Sequence, residues 1–378
     1  MELHFTVLVV ILLFLLSYTN GANDVSKPIA TLAGAGVTSV RGAIAWGTLW
    51  TVGGALAGLF WGTAMIKNIS ENIYIESPAF FLPFALTVSI APILWVGLAT
   101  WRCWPVSTTH ALVGGLVGAG LVAYGVHGIN WPTIFAVIVL PLLASPLMAI
   151  GLSRFLGPFL GRAAATTTRI RLCLSPVPKL ALLPASHAMA YAPEDTLEDC
   201  IICSCESPQA GMTHGLTLSI DTMHWLTSGV LSFSRGLNDA PKLIAVVMPF
   251  MIGAHLVAPV WLFLWAALAM GLGSWLGGRK ITEMLGFKVT KMSHEEGFTA
   301  NFVAAFLVIG ASRFGLPVST THVTASSIMG VGMSRKQGLN MKTVRVMLFA
   351  WLVTAPVTGL FAVVLYTLAA GSGLAGVH

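Results

Sequence analysis

The hexapeptide Pro-Val-Ser-Thr-Thr-His stands twice in this 378-residue chain, at Pro105 to His110 and at Pro317 to His322. A second motif, Asn-Asp with Lys three residues on, is also duplicated: Asn23, Asp24, Lys27 and Asn238, Asp239, Lys242. The hexapeptides lie 212 residues apart and the Asn-Asp pairs 215 apart, in the same order. One chain therefore holds two homologous halves, and each must fold around the same polar constellation.

That constellation sits in apolar surroundings. The chain is 56% hydrophobic and 9% charged, against roughly 25% charged in an ordinary soluble domain. No Asp, Glu, Lys or Arg occurs from Ile244 to Gly278 or from Val346 to His378, and Arg102 is the only one between Ser77 and Ser153. Each stretch is long enough to cross a hydrocarbon layer of roughly 30 Å. The 39 glycines and 19 prolines suit close helix packing and interrupted helices in lipid. The fold class is an all-α polytopic membrane protein. The apolar start, Phe5 to Leu16, lacks a basic leader and a small-residue cleavage site, so it reads as a retained membrane segment. Polar groups kept at such cost usually line a transport pathway, and a duplicated polar centre points to a secondary transporter. The net charge of +6 is then explained by orientation in the membrane rather than by nucleic acid.

Loop charge orients the chain. Arg154, Arg162, Arg169, Arg171 and Lys179 follow the first half and belong on the cytoplasmic side. In the second half, Arg279, Lys280, Lys288 and Lys291 form one basic loop and Arg335, Lys336, Lys342 and Arg345 another. The equivalent first-half places hold Lys67 with Glu71 and Glu76, and a neutral run from Ala123 to Thr133. Conversely Arg41 is basic and its counterpart near Leu256 is not. Loops basic in one half are neutral or acidic in the other, which predicts inverted-topology repeats with interrupted helices and re-entrant hairpins. The expected division is residues 1–158, a cytoplasmic linker 159–214 holding an acidic cluster at Glu194, Asp195, Glu198 and Asp199, and an inverted repeat 215–378.

Gly21-Ala-Asn-Asp24 and Gly236-Leu-Asn-Asp239 look like places where a helix unwinds, with Pro28 and Pro241 reinforcing the break. The two hexapeptides look like helix starts, in which Pro is tolerated and hydroxyls cap free amides. Facing each other, they would present amides and six hydroxyls to a tetrahedral oxyanion. A lone Ser-Thr-Thr would more often bond its own helix; duplication of both motifs favours the functional reading. His110 and His322 are gating or structural residues on equal terms.

These motifs, Gly-Ala-Asn-Asp-Val in the first half with Gly-Leu-Asn-Asp-Ala as its second copy, and Pro-x-Ser-x-Thr-His in each half, resemble the inorganic phosphate transporter (PiT) family. The resemblance covers both halves without the linker. It implies import of inorganic phosphate by alternating access, cation coupling, and a multi-pass protein of the inner or plasma membrane, not an enzyme and without a cofactor. It assigns Asn23, Asp24, Asn238 and Asp239 to the substrate and coupling-ion site. Ser107, Thr108, Thr109, Ser319, Thr320 and Thr321 would add hydroxyls and helix-start amides.

The chain departs from the sodium-coupled pattern twice. Lys27 and Lys242 stand where a further Asn is usual, and no acid occurs from Trp50 to Gly53. An ammonium there can play the part of a bound cation, which favours protons over sodium as the coupling ion. Phosphate can donate a hydrogen bond to Asp24 or Asp239 and sulfate cannot, so the aspartates lean toward phosphate. Lysine pairing of those aspartates would return sulfate as a rival. A channel stays open as a reading; an intramembrane aspartyl hydrolase would need neither the Ser-Thr-Thr pair nor the lysines. The chain's partners are then the bilayer, phosphate and a proton or sodium, with a homo-oligomer as an option.

Cys200, Cys203 and Cys205 form a C-x-x-C-x-C cluster in the linker, near Cys173, His187 and His214. Metal binding is one reading; the spacing matches no standard finger, and unpaired thiols are the other.

Overall fold

Residues 2–70, 73–75, 82–167, 219–247, 260–333 and 338–371 are described in the structure, a computed structural model. The linker cysteines Cys200, Cys203 and Cys205 lie outside them. Nearly all described residues are helical, and the sole strand-like pairing among them is an isolated bridge between Tyr74 and Ile129.

The first half runs α1 (Glu2–Asp24), α2 (Ser26–Gly34), α3 (Val40–Trp61), α4 (Thr63–Ser70), α5 (Leu82–Trp101), α6 (Thr108–Tyr124) and α7 (131–167). Helix α7 carries a π-helical stretch at Ile134–Val139 and continues to Thr167, past the expected edge of the linker. The second half runs α8 (Ile220–Val247), α9 (Val260–Gly277), α10 (Arg279–Lys288), α11 (His294–Arg313), α12 (Thr320–Gly332) and α13 (Met341–Gly371). Among the described residues, six helices are long and apolar enough to cross a membrane. Large apolar side chains such as Phe60, Leu147, Phe155, Leu352 and Leu360 point outward, an arrangement suited to lipid rather than water.

Packing between the halves is reciprocal. Helix α1 packs on α9, and α8, the counterpart of α1, packs on α3, the counterpart of α9. Likewise α6 packs on α13 and α12 on α7. Glycines set the closest of these crossings. A Cβ on Gly21 would run into the Met270 backbone of α9, and one on Gly236, its counterpart, into the Thr51 carbonyl of α3. We expect Gly236→Ala to cost about 1–3 kcal/mol by overpacking, read as a lowered thermal midpoint of the purified protein. An unchanged midpoint would show that the crossing can open without loss.

The expected unwinding at Asn-Asp is not what the fold shows. In the first half the break is one residue, Val25, whose torsions of −58° and −31° remain helical. The Val25 amide still reaches the Gly21 carbonyl at 3.2 Å. In the second half α8 runs unbroken through Asn238 and Asp239, with Pro241 inside it. The backbone survives because the motif side chains turn onto one another and onto nearby carbonyls, as described below.

The sharp turns lie instead at the hairpin tips between α5 and α6 and between α11 and α12. Each tip has a residue in the left-handed region, Cys103 (φ 60°) and Gly315 (φ 66°), again 212 residues apart. Each following helix is capped by its hexapeptide serine: Ser107 Oγ accepts from the His110 amide and Ser319 Oγ from the His322 amide. The prolines sit two residues ahead of these caps, not in the first turn.

Candidate functional site

Helix α1 brings Asn20, Asn23, Asp24 and, across the Val25 junction, Lys27 to the centre of the molecule. Helix α8 brings Arg235, Asn238, Asp239 and Lys242. All eight side chains are buried. The two aspartates converge on one amide: Asn20 Nδ2 donates to Asp24 Oδ2 at 2.9 Å and to Asp239 Oδ2 at 3.3 Å.

The two carboxylates are held unequally. Lys27 Nζ lies 2.5 Å from Asp24 Oδ1, and Thr108 Oγ1 donates to Asp24 Oδ2 at 2.9 Å. The same ammonium donates to the Asn23 carbonyl and to Asn23 Oδ1, both at 2.6 Å. Asp239 instead has Lys242 Nζ at 3.4 Å and Arg235 Nε at 3.6 Å. Strong charge-assisted bonds are about 2.7–2.9 Å. Asp239 is therefore the loosely held member of the pair.

Arg235 and Asn20 are the residues that reading the motifs missed. The guanidinium is wholly buried, donating from Nη2 to Asn20 Oδ1 at 2.9 Å and from Nη1 to Thr51 Oγ1 at 3.1 Å. The signal was present, because the 215-residue offset that aligns Asp24 with Asp239 also aligns Asn20 with Arg235. Thr51 lies in the stretch where the resemblance led one to look for an acid. With Lys27, Lys242 and Arg235 facing Asp24 and Asp239, the cluster carries one net positive charge. Isolated buried charges cost several kcal/mol each, so such a cluster persists only while its members pair.

The hexapeptides lock the halves together across this centre. Thr109 Oγ1 donates to the Val318 carbonyl at 3.4 Å, and Thr321 Oγ1 donates to the Val106 carbonyl at 2.9 Å. Lys242 Nζ joins them, donating to Thr109 Oγ1 at 2.9 Å and to the Val318 carbonyl at 2.8 Å. The Asn side chains hold the hairpins in register. Asn23 Nδ2 donates to Thr100 Oγ1 (2.9 Å) and the Trp104 carbonyl (3.1 Å), and Asn238 Nδ2 to the Val318 carbonyl (3.1 Å). Ser312, the counterpart of Thr100, donates to Asn238 Oδ1 at 3.3 Å.

Ser107 and Ser319 spend their hydroxyls on the helix caps, and Ser107 Oγ also meets His110 Nδ1 at 2.8 Å. Thr320 is the counterpart of Thr108 and is equally buried. The two histidines meet across the halves with ring centroids 4.4 Å apart, and His322 also lies 4.1 Å from the Trp351 ring. Among the described residues no group of three or more His, Cys, Asp and Glu side chains is placed to hold a metal ion.

Comparison with known proteins agrees with this architecture. A family model described as "Phosphate transporter family" matches residues 20–362. An Arabidopsis thaliana protein, "Inorganic phosphate transporter 2-1, chloroplastic", is 28% identical over 93% of this chain and 70% of its own length. A Bacillus subtilis protein named "Probable low-affinity inorganic phosphate transporter" is 28% identical over 96% of both. A solved structure titled "The sodium-dependent phosphate transporter" superposes with a TM-score of 0.75 at 24% identity. It covers 97% of this chain and 99% of that one.

Proposed function

Since the chain belongs to the phosphate transporter family and is a multi-pass integral membrane protein rather than an enzyme, we propose that it carries phosphate as the monovalent dihydrogen ion. In this reading, phosphate binds at the interface of the halves, beside Asp239. The observation that carries it is the buried centre shared by both halves, with its single excess positive charge. A monovalent anion neutralises that charge; a dianion overshoots it. The loose contacts of Asp239 leave its carboxylate free to accept a hydrogen bond from a phosphate hydroxyl. Arg235 and Lys242 are the donors beside it, and Thr320, the buried counterpart of Thr108, would add a hydroxyl.

Moving dihydrogen phosphate is equivalent to moving hydrogen phosphate with one proton, so proton coupling follows from the choice of ion. The three fixed cations do the electrostatic work that bound sodium would otherwise do. Asp24, tied to Lys27 and Thr108, serves as the fixed end of the site and Asp239 as the responsive end. The reciprocal packing suits alternating access by rocking of inverted halves about this centre. The Thr109–Val318 and Thr321–Val106 bonds would break and reform as it rocks. His110 and His322, touching between the halves, would move apart with them.

The test is uptake of labelled phosphate into proteoliposomes, with sodium or choline as the cation. Uptake should proceed in choline and follow an inward proton gradient. A roughly tenfold excess of sulfate should leave it largely intact, because a site built to receive a hydroxyl rejects an analogue lacking one. Equal inhibition by sulfate would show that the lysines and Arg235 have silenced both aspartates. An outright sodium requirement would remove the cation-surrogate role.

A further inference from the structure

Arg102, the sole formal charge between Ser77 and Ser153, is brought by the fold to three lysines of the other half. It sits at the α5–α6 hairpin tip, with its guanidinium carbon 5.0 Å from the centre of the Trp101 ring. There it lines a cavity of about 800 Å³ together with Lys288, Lys291 and Lys342. No Asp or Glu is among the described residues lining that cavity. Basic loops on one membrane face account for the three lysines by orientation alone. They do not account for Arg102, which comes from the opposite half and from a neutral stretch.

At the pseudo-equivalent second hairpin tip, Asn68 Nδ2 of α4 donates to the Gly315 carbonyl at 2.9 Å, and Ala64 sits against Gly315. The cavity at the first tip has four cations, apolar surface such as Phe287, and a link to the centre. Trp104, on its wall, accepts the hydrogen bond of Asn23 through its carbonyl.

We propose that this cavity is a second oxyanion site, separate from the central one, that takes a phosphate group. Lysine ammoniums and an arginine fork around a space without carboxylates suit phosphate oxygens. The group could come from soluble phosphate passing to or from the centre, or from the headgroup of an anionic phospholipid whose chains lie along the apolar wall.

Cys103, also on the wall, supplies the reporter. In a variant with Cys173, Cys200, Cys203 and Cys205 replaced by serine, it is the only remaining thiol of five. The protein is reconstituted in phosphatidylcholine, and alkylation of Cys103 by a neutral, permeant maleimide is timed. Inorganic phosphate is tested against gluconate at matched ionic strength, and phosphatidylglycerol is tested in a separate arm.

Alkylation should slow several-fold in at least one arm, and that arm identifies the source. Protection should disappear when Arg102→Gln and Lys342→Gln are combined. It should persist in Asp239→Asn, which disables the central site. No slowing in either arm overturns the proposal, and so does protection lost in Asp239→Asn with Arg102 intact. Absent phosphate uptake with protection retained would count against the central reading and leave this one standing.

Discussion

Arg235→Gln should lower phosphate uptake by about 100-fold or more while leaving a protein that inserts and purifies as a single species. Truncating one partner of a buried hydrogen-bonded charge pair, here the guanidinium and the bound anion, costs about 2–5 kcal/mol of binding, and every 1.4 kcal/mol is roughly tenfold in an equilibrium. Glutamine fills similar space and can still bond Asn20 or Thr51, so the loss falls on charge rather than shape. Without the guanidinium the centre is neutral, and a monovalent anion entering it has nothing to balance. The measurement is uptake in proteoliposomes, normalised to monodisperse protein and repeated with sodium. Partial recovery in sodium, in a variant whose parent ignores sodium, would place the guanidinium where a coupling cation otherwise acts. Uptake within a factor of about two of wild type, against the loss expected from a broken buried pair, would reduce Arg235 to a packing residue.

The second large effect separates stability from transport at Asp24 and Lys27. Asp24→Asn alone strands a wholly buried ammonium, and Lys27→Met alone strands a buried carboxylate. Each should destabilise the protein by about 3–5 kcal/mol. The double replacement removes both charges together and should recover most of that stability, because a buried pair is often no better than apolar groups of like volume. Transport should not recover, since the fixed end of the site is gone. Thermal midpoints of the four proteins give the coupling between the two positions, and uptake is measured on the same preparations. If the double variant is as unstable as the sum of the singles, the two charges are not a pair. If it transports phosphate normally, Asp24 is no part of the site.

The sequence alone determined much of this protein. Two halves, apolar membrane helices, the hexapeptide serines as helix caps and the aspartates as a polar centre all follow from residues repeated at fixed spacing. Those features depend on interactions within a few residues or on hydropathy summed over a segment, and both are written locally. The condition of the Asn-Asp helices was not. Gly, Asn, Asp and Pro each weaken a helix locally, yet α8 runs unbroken because its polar side chains find partners as far as 215 residues away.

Tertiary structure also decided which polar residues share the centre. Asn20 reaches Asp239 across 219 positions and Arg235 reaches Thr51 across 184, through crossings set by Gly21 against Met270 and Gly236 against Thr51. A crossing fixes side chains to within an ångström, whereas a motif fixes only their order. The same distinction holds at the hairpin tips. Sequence marks Arg102 as the lone charge of its stretch, and only the meeting of the two halves shows that it faces lysines. Charge-assisted hydrogen bonds need their partners within about 3 Å, and that is the scale on which folding, not order along the chain, chooses neighbours.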